Sequence, residues 1–143
     1  DMRFIEFMAL DSGRAWSMEK VVTANEMKRV IEREYELVRE VDGASSTSMN
    51  YRFASSKGRV GFIASVSQSF CHGCNRLRIL ADGTVRPCLF SDDEWNVRDC
   101  LRTQTNKVIK QFLRDACFAK SKGHSMGRED FAPPSKTMST LGG

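Results

Sequence analysis

The sequence lacks any apolar run of membrane-spanning length, so no transmembrane helix is expected. It opens with no secretory signal and contains no internal repeat, which sets aside a secreted disulfide framework and a solenoid. It also lacks a strong charge of either sign. Its 22 Lys and Arg against 18 Asp and Glu leave a formal +4, too mild by itself to point to nucleic acid. What remains is ordinary for a soluble globular protein: 143 residues, 41% hydrophobic and 28% charged. That is enough for one domain, or for one domain and a piece of another. Five cysteines, an odd number without a signal peptide, point to a reducing compartment and to thiols used for metal. Asp1 gives way at once to strand-like residues, as expected of a piece of something longer.

Two of the thiols, in Cys71-His72-Gly73-Cys74, are separated by two residues on a tight turn, which lets both sulfurs face one point. A third, Cys88, arrives after the Asp82-Gly83 hairpin signal and can close the same site from a neighbouring strand. Soft sulfur donors arranged in this way suit zinc or an iron–sulfur cluster far better than magnesium or calcium. The competing readings are a disulfide, buried core cysteines or a redox dithiol. A redox Cys-x-x-Cys sits where a strand enters a helix, whereas Leu77-Arg78-Ile79-Leu80-Ala81-Asp82-Gly83 reads as strand and turn. A closed zinc site wants a fourth ligand, for which His72, His124, Cys100 and Cys117 are candidates. A cluster on three thiolates instead leaves one iron open. Spacing alone leaves zinc and iron–sulfur both standing.

Around this motif the chain reads as α+β. Met2 to Met8 alternates polar and apolar residues, as a strand does, with Arg3 a surface charge near its end. Thr23-Ala24-Asn25-Glu26 has the form of a capping box. Behind it Met27, Val30, Ile31, Tyr35 and Val38 recur at helical spacing, which predicts an amphipathic helix over 24–39. Residues 41–50 are a polar loop, and strands follow at 51–53 and 60–66 around a Lys57-Gly58 turn. With 76–80 and 84–89 these strands are expected to form one small antiparallel sheet with flanking helices. Acidic Ser91-Asp92-Asp93-Glu94 suits the positive end of a helix over 97–102. A second helix is expected over 105–120, with Val108, Phe112, Leu113, Ala116 and Cys117 on its packed side, which makes Cys117 a core residue. The end, 123–143, has little regular pattern and by composition alone reads as disordered.

Arg76 and Arg78 alternate with Leu77 and Ile79 directly after the second thiol. On a strand they share a face, so two guanidiniums project together from beside the metal site. Forked guanidiniums match phosphate oxygens, and the pair reads as an anion clamp.

Cys-x-x-Cys-Asn-Arg-Leu-Arg, then Asp82-Gly83, then Cys88-Leu89-Phe90 resembles the second-cluster motif of the GTP 3′,8-cyclase family, which starts molybdenum cofactor biosynthesis. Arg3-Phe4-Ile5-Glu6-Phe7-Met8, the Ser65-to-Phe70 lead-in and the terminal Met138-Ser139-Thr140-Leu141-Gly142-Gly143 agree, in the same order. The resemblance covers only the family's C-terminal part, since its N-terminal Cys-x-x-x-Cys-x-x-Cys motif is missing.

The resemblance implies that residues 1–10 are the last strand of an incomplete TIM-type radical-SAM barrel, followed over 11–143 by the domain covering its mouth. Cys71, Cys74 and Cys88 are then expected to hold a second 4Fe–4S cluster whose open iron meets the guanine of GTP. Arg76, Arg78 and Arg3 are expected to contact GTP, and Gly142-Gly143 to reach into the active site. SAM, cleaved at a first 4Fe–4S cluster in the absent barrel, supplies a 5′-deoxyadenosyl radical that takes hydrogen from the ribose C3′, and the substrate radical attacks C8. This chain alone, without that barrel, is expected to be inactive. The further expectations are a full-length homodimer, a downstream cyclic pyranopterin monophosphate synthase, and a cytoplasmic or mitochondrial-matrix setting. Lys136 stands where the family usually has arginine, keeping the charge but losing the fork. The rival from another class is a small zinc-binding interaction module.

Overall fold

Phe4 and Glu6 turn inward along the first strand while Arg3 and Ile5 face out, so the core side of this strand carries one aromatic ring and one carboxylate. That strand opens a computed structural model describing residues 1–141; Gly142 and Gly143 lie outside the described residues. The architecture is α+β and divides into two compact units, residues 1–9 with 15–74, and residues 10–14 with the chain from Asn75 onward. Among the described residues no helix is long and apolar enough to cross a membrane.

The first unit is a four-stranded sheet with one helix. In chain order it has β1 (Met2–Ile5), α1 (Ala24–Glu32), β2 (Leu37–Arg39), β3 (Met49–Phe53) and β4 (Arg59–Ile63). The strand order is β1-β4-β3-β2, with β1 parallel to β4 and the other pairings antiparallel. Its core is Ala24, Tyr51, Val60, Phe62 and Ala64, with Phe4, Met27, Ile31 and Leu37 packed against them. Phe62 is the hub: the Phe4 ring stacks on it at 5.8 Å and Tyr51 meets it edge-on at 5.8 Å.

The expected helix over 24–39 stops at Glu32. Its capping box forms as read, with Glu26 N–H donating to the Thr23 hydroxyl and Thr23 N–H to the Glu26 carboxylate. Beyond Arg33 the chain instead gives Leu37, Val38 and Arg39 to β3, pairing Leu37 with Phe53 and Arg39 with Tyr51. Tyr35 lies edge-on to Phe53 at 5.5 Å. Tertiary pairing here overrides a helical spacing that Tyr35 and Val38 met by coincidence.

The second unit holds β5 (Arg78–Ile79), β6 (Thr84–Arg86), β7 (Trp95–Asn96), α2 (Arg98–Thr103) and α3 (Asn106–Phe118). The strands form a separate antiparallel sheet in sequence order, so the expected single sheet is two. Val85, Val97 and Ala116 form its core with Leu77, Trp95, Cys100 and Phe112. The inward stripe of α3 is half-buried Ile109, Phe112 and Leu113 with buried Ala116. Val108 and Cys117 are exposed, which corrects the reading of Cys117 as a core residue. It sits about 100° around the helix from Ala116, off the stripe.

Candidate functional site

Cys71, His72 and Gly73 form a single 3-10 turn, closed by Cys74 N–H donating to the Cys71 carbonyl at 3.1 Å. Both thiols are half-buried and His72 is exposed. The turn lies so close to the 43–46 loop that a Cβ on Gly73 would come within 2.8 Å of the Ala44 carbonyl oxygen, so only glycine fits there. The loop leading to the turn is tied down by Glu6, which is 1% exposed. Its carboxylate accepts N–H bonds from Val66 (2.7 Å), Ser67 (2.8 Å) and Ala24 (2.8 Å), and the Ser67 hydroxyl at 2.5 Å. One buried carboxylate thus joins β1, the start of α1 and the approach to the thiols. Sequence reading missed it because Glu6 counted as the polar partner in an alternating strand, whereas it lies on the core face.

Cys88 belongs to the second unit, two residues after β6, and is half-buried. The hairpin that delivers it forms as read. Its turn has Leu80 N–H bonded to the Thr84 carbonyl at 2.8 Å, and the Asp82 carboxylate accepts Thr84 N–H at 2.8 Å. That backbone bond, with the Thr84 hydroxyl, holds the Asp82 carboxyl below the usual aspartate range. The Cys88 sulfur accepts the N–H of Phe90 at 3.5 Å. A hydrogen bond of this kind tunes a sulfur-ligated metal centre.

None of the five cysteines forms a disulfide. Among the described residues, no three His, Cys, Asp or Glu side chains are gathered into a set that holds a metal ion. Cys71 and Cys74 end the first unit and Cys88 stands in the second, so each unit by itself carries only part of the expected ligand set. The donors' chemistry fits a thiolate-ligated cluster: two half-buried sulfurs on one tight turn, and a third that already accepts an N–H. Of the four expected fourth zinc ligands, His72 and Cys117 are exposed, and the other two are engaged within the second unit. His124 packs edge-on against Phe90 at 4.9 Å and accepts Met126 N–H on Nδ1 at 3.2 Å, and Cys100 lies against the second core.

The arginines are placed differently from the expected strand face. The strand β5 starts only at Arg78, so Arg76 precedes it, and the Arg76 carbonyl is taken by the Lys120 ammonium at 2.5 Å. Arg78 pairs in register with Arg86 and donates to the Leu141 carbonyl at 3.0 Å. Arg3, on β1 in the first unit, donates to the Asn50 side-chain oxygen at 3.1 Å. It borders a cavity of about 60 Å³ lined by Asp1, Met2, Arg3, Asn50, Arg59, Val60 and Gly61. Nucleotide-sized pockets need several hundred Å³, so this hollow by itself admits one small polar group. Gly61 is required beneath it, because a Cβ would meet the Ser48 hydroxyl at 2.4 Å and the Asn50 oxygen at 2.8 Å.

Arg86 is a buried charge that reading the sequence passed over. It is fully buried in β6, two positions before Cys88. Its guanidinium donates to the Ser91 carbonyl and lies 3.3 Å from the Asp92 carboxylate and 3.1 Å from that of Glu94. The acidic run therefore does not cap a helix. It folds back on a buried cation, with β7 intervening before α2 begins. The signal available was the pairing of a lone arginine amid Thr84, Val85 and Pro87 with carboxylates six and eight residues later. The final segment is held too: Lys136 pairs with Glu94 at 2.6 Å, and Leu141 is 1% exposed.

With that geometry in view, comparison with known proteins is decisive. A profile described as Molybdenum Cofactor Synthesis C matches residues 1–126. The chain belongs to that family. The matched span of this family takes in Cys71, Cys74, Cys88, Arg3, Arg76 and Arg78. A GTP 3′,8-cyclase of Rhodococcus opacus is 38% identical over 144 residues, covering 99% of this chain and 41% of that protein. One of Rhodopirellula baltica is 36% identical over 148 residues, with 99% and 41% covered. A mitochondrial GTP 3′,8-cyclase of Arabidopsis thaliana is 36% identical over 145 residues, with 100% and 37% covered. The chain thus spans about two-fifths of the length of the curated relatives it matches.

Proposed function

We propose that this chain is the C-terminal, cluster- and GTP-binding part of a GTP 3′,8-cyclase, acting in the radical-SAM cyclisation of GTP to 3′,8-cyclo-7,8-dihydro-GTP. The observation that carries this reading is the near-complete alignment of the chain with proteins of that name. Cys71, Cys74 and Cys88 would hold a second 4Fe–4S cluster, the Phe90 N–H lending its bond to the Cys88 sulfur. When bound, that cluster offers an open iron to the purine.

The residues of the chain bind and orient. Arg76, Arg78 and Arg3 supply cations to the triphosphate, each well-formed charge-assisted contact adding about 1.5–3 kcal/mol. Arg78 already donates to a carbonyl, which fits a side chain that exchanges one oxygen acceptor for another. These groups act by positioning a reactive nucleotide rather than by moving protons. Residues 1–10 would complete a radical-SAM barrel supplied by the rest of the protein, with Gly142-Gly143 entering the same site. The product would pass to a following enzyme, a cyclic pyranopterin monophosphate synthase.

The test uses the full-length protein with SAM, a reductant and GTP under anaerobic conditions. Formation of 3′,8-cyclo-7,8-dihydro-GTP is expected, and Arg76→Ala or Arg78→Ala should raise the KM for GTP by about tenfold or more, the loss of one charged contact. Turnover by residues 1–143 alone, or no cyclised product from the full-length protein, would contradict the reading.

A further inference from the structure

Residues 134–141 are strapped within the second unit by contacts with five residues remote in sequence. Arg14 donates to the carbonyls of Pro134 (2.9 Å) and Ser135 (2.7 Å). Asp92 accepts the Ser135 N–H at 2.9 Å and its hydroxyl at 2.7 Å. Glu94 pairs with Lys136, Met138 N–H donates to the Leu10 carbonyl at 2.9 Å, and Arg78 caps the Leu141 carbonyl. Arg14 makes its two bonds from a left-handed backbone, φ 50°, a conformation that non-glycine residues adopt only when surrounding contacts impose it.

Behind the two carboxylates sits Arg86. In each of Asp92 and Glu94 a single oxygen faces both partners: Asp92 Oδ1 meets the Arg86 guanidinium and Ser135, and Glu94 Oε1 meets the guanidinium and Lys136. A carboxylate has lone pairs enough for both partners, and a fully buried cation cannot swing away from them. The same Arg86 stands directly opposite Arg78 in the hairpin, so one guanidinium fixes both the clasp and the neighbour of the clasp's far end.

We propose that Arg86 is a positioning residue: through Asp92 and Glu94 it latches residues 135–141, and so holds the Leu141 carbonyl at Arg78. This rests on the reading that the Gly142-Gly143 tail serves the GTP site. In this arrangement Lys136 has a defined role as the ammonium partner of Glu94. A point charge suffices there, which explains why a forked guanidinium is dispensable.

The test is amide hydrogen exchange over 136–141 alongside GTP turnover, both on the full-length enzyme, with Asp92→Ala, Lys136→Met, Lys136→Arg and Arg86→Met. Asp92→Ala and Lys136→Met are surface changes that spare the core if Arg86→Met fails to fold. Each is expected to speed exchange at Met138 and Leu141 by about tenfold, the worth of one charge-assisted contact, without altering the 78–86 hairpin. The kcat should fall with iron content unchanged, and Lys136→Arg should restore both readouts. Unchanged exchange in Asp92→Ala and Lys136→Met overturns the latch. Loosened exchange with unchanged kcat overturns the positioning role. A wild-type enzyme that does not cyclise GTP refutes the function while leaving the exchange result intact.

Discussion

Glu6 and Arg86 are both charged side chains taken out of water. Glu6 is met by hydrogen-bond donors, whereas Arg86 hydrogen-bonds through Nη2 alone and relies on the Asp92 and Glu94 charges. Glu6 gathers three N–H groups and one hydroxyl, so its charge is held by donors and not by a counter-ion. Glu6→Gln keeps the shape but turns an NH2 toward one pair of those donors. Leaving a buried donor unsatisfied costs about 1–3 kcal/mol, so urea unfolding of Glu6→Gln should show a loss in that range. A loss indistinguishable from zero would mean that the carboxylate does not organise the approach to Cys71. Neither residue was legible in the sequence as more than a charge near a strand. The capping box at Thr23 was, because its two bonds are local and need no tertiary partner.

At the level of elements, what could be read was whatever the chain decides within a few residues. The Asp82-Gly83 hairpin, the Lys57-Gly58 turn and α3 all form as expected from turn chemistry and 3.6-residue spacing. The helix over 24–39 overran because Leu37, Val38 and Arg39 satisfy two patterns, and the partner strand that chooses between them lies twelve residues further on. The strap was illegible for the same reason. Its composition is that of a disordered tail, and its order comes from Asp92, Glu94, Arg14 and Arg78, all remote in sequence.

Asp92 gives the strap a pH signature. The Ser135 hydroxyl, then its N–H and Arg86, hold the Asp92 carboxyl below the usual value of 3.8. A pKa lowered in the folded state contributes stability that is complete above the unfolded value and lost as pH falls through the folded one. The Ser135 amide resonance should therefore be constant from neutral pH to about pH 5 and shift only below about pH 4, with a midpoint under 3.8. A midpoint above that value would mean that the Asp92–Ser135 clasp is not formed in solution.

For the molecule as a whole, the chain is two units, and its candidate ligands are divided between them. Cys71 and Cys74 come from a turn packed on the 43–46 loop and reached through Glu6. Cys88 comes from a hairpin backed by Arg86 and the strap. Family membership was legible because motifs in the same order run from Arg3 to the terminal glycines, and the full-span alignments agree. The division of the three thiols between two units was not, since it depends on packing remote in sequence.

The most direct measurement is iron and acid-labile sulfide per chain in the anaerobically purified full-length protein, compared across Cys71→Ser, Cys74→Ser, Cys88→Ser, Cys100→Ser and Cys117→Ser. The account predicts that each of the first three loses about four iron and four sulfide, one cubane's worth, while the last two lose none. Iron retained in the first three variants, or stoichiometric zinc in place of iron in the unmodified protein, would contradict it.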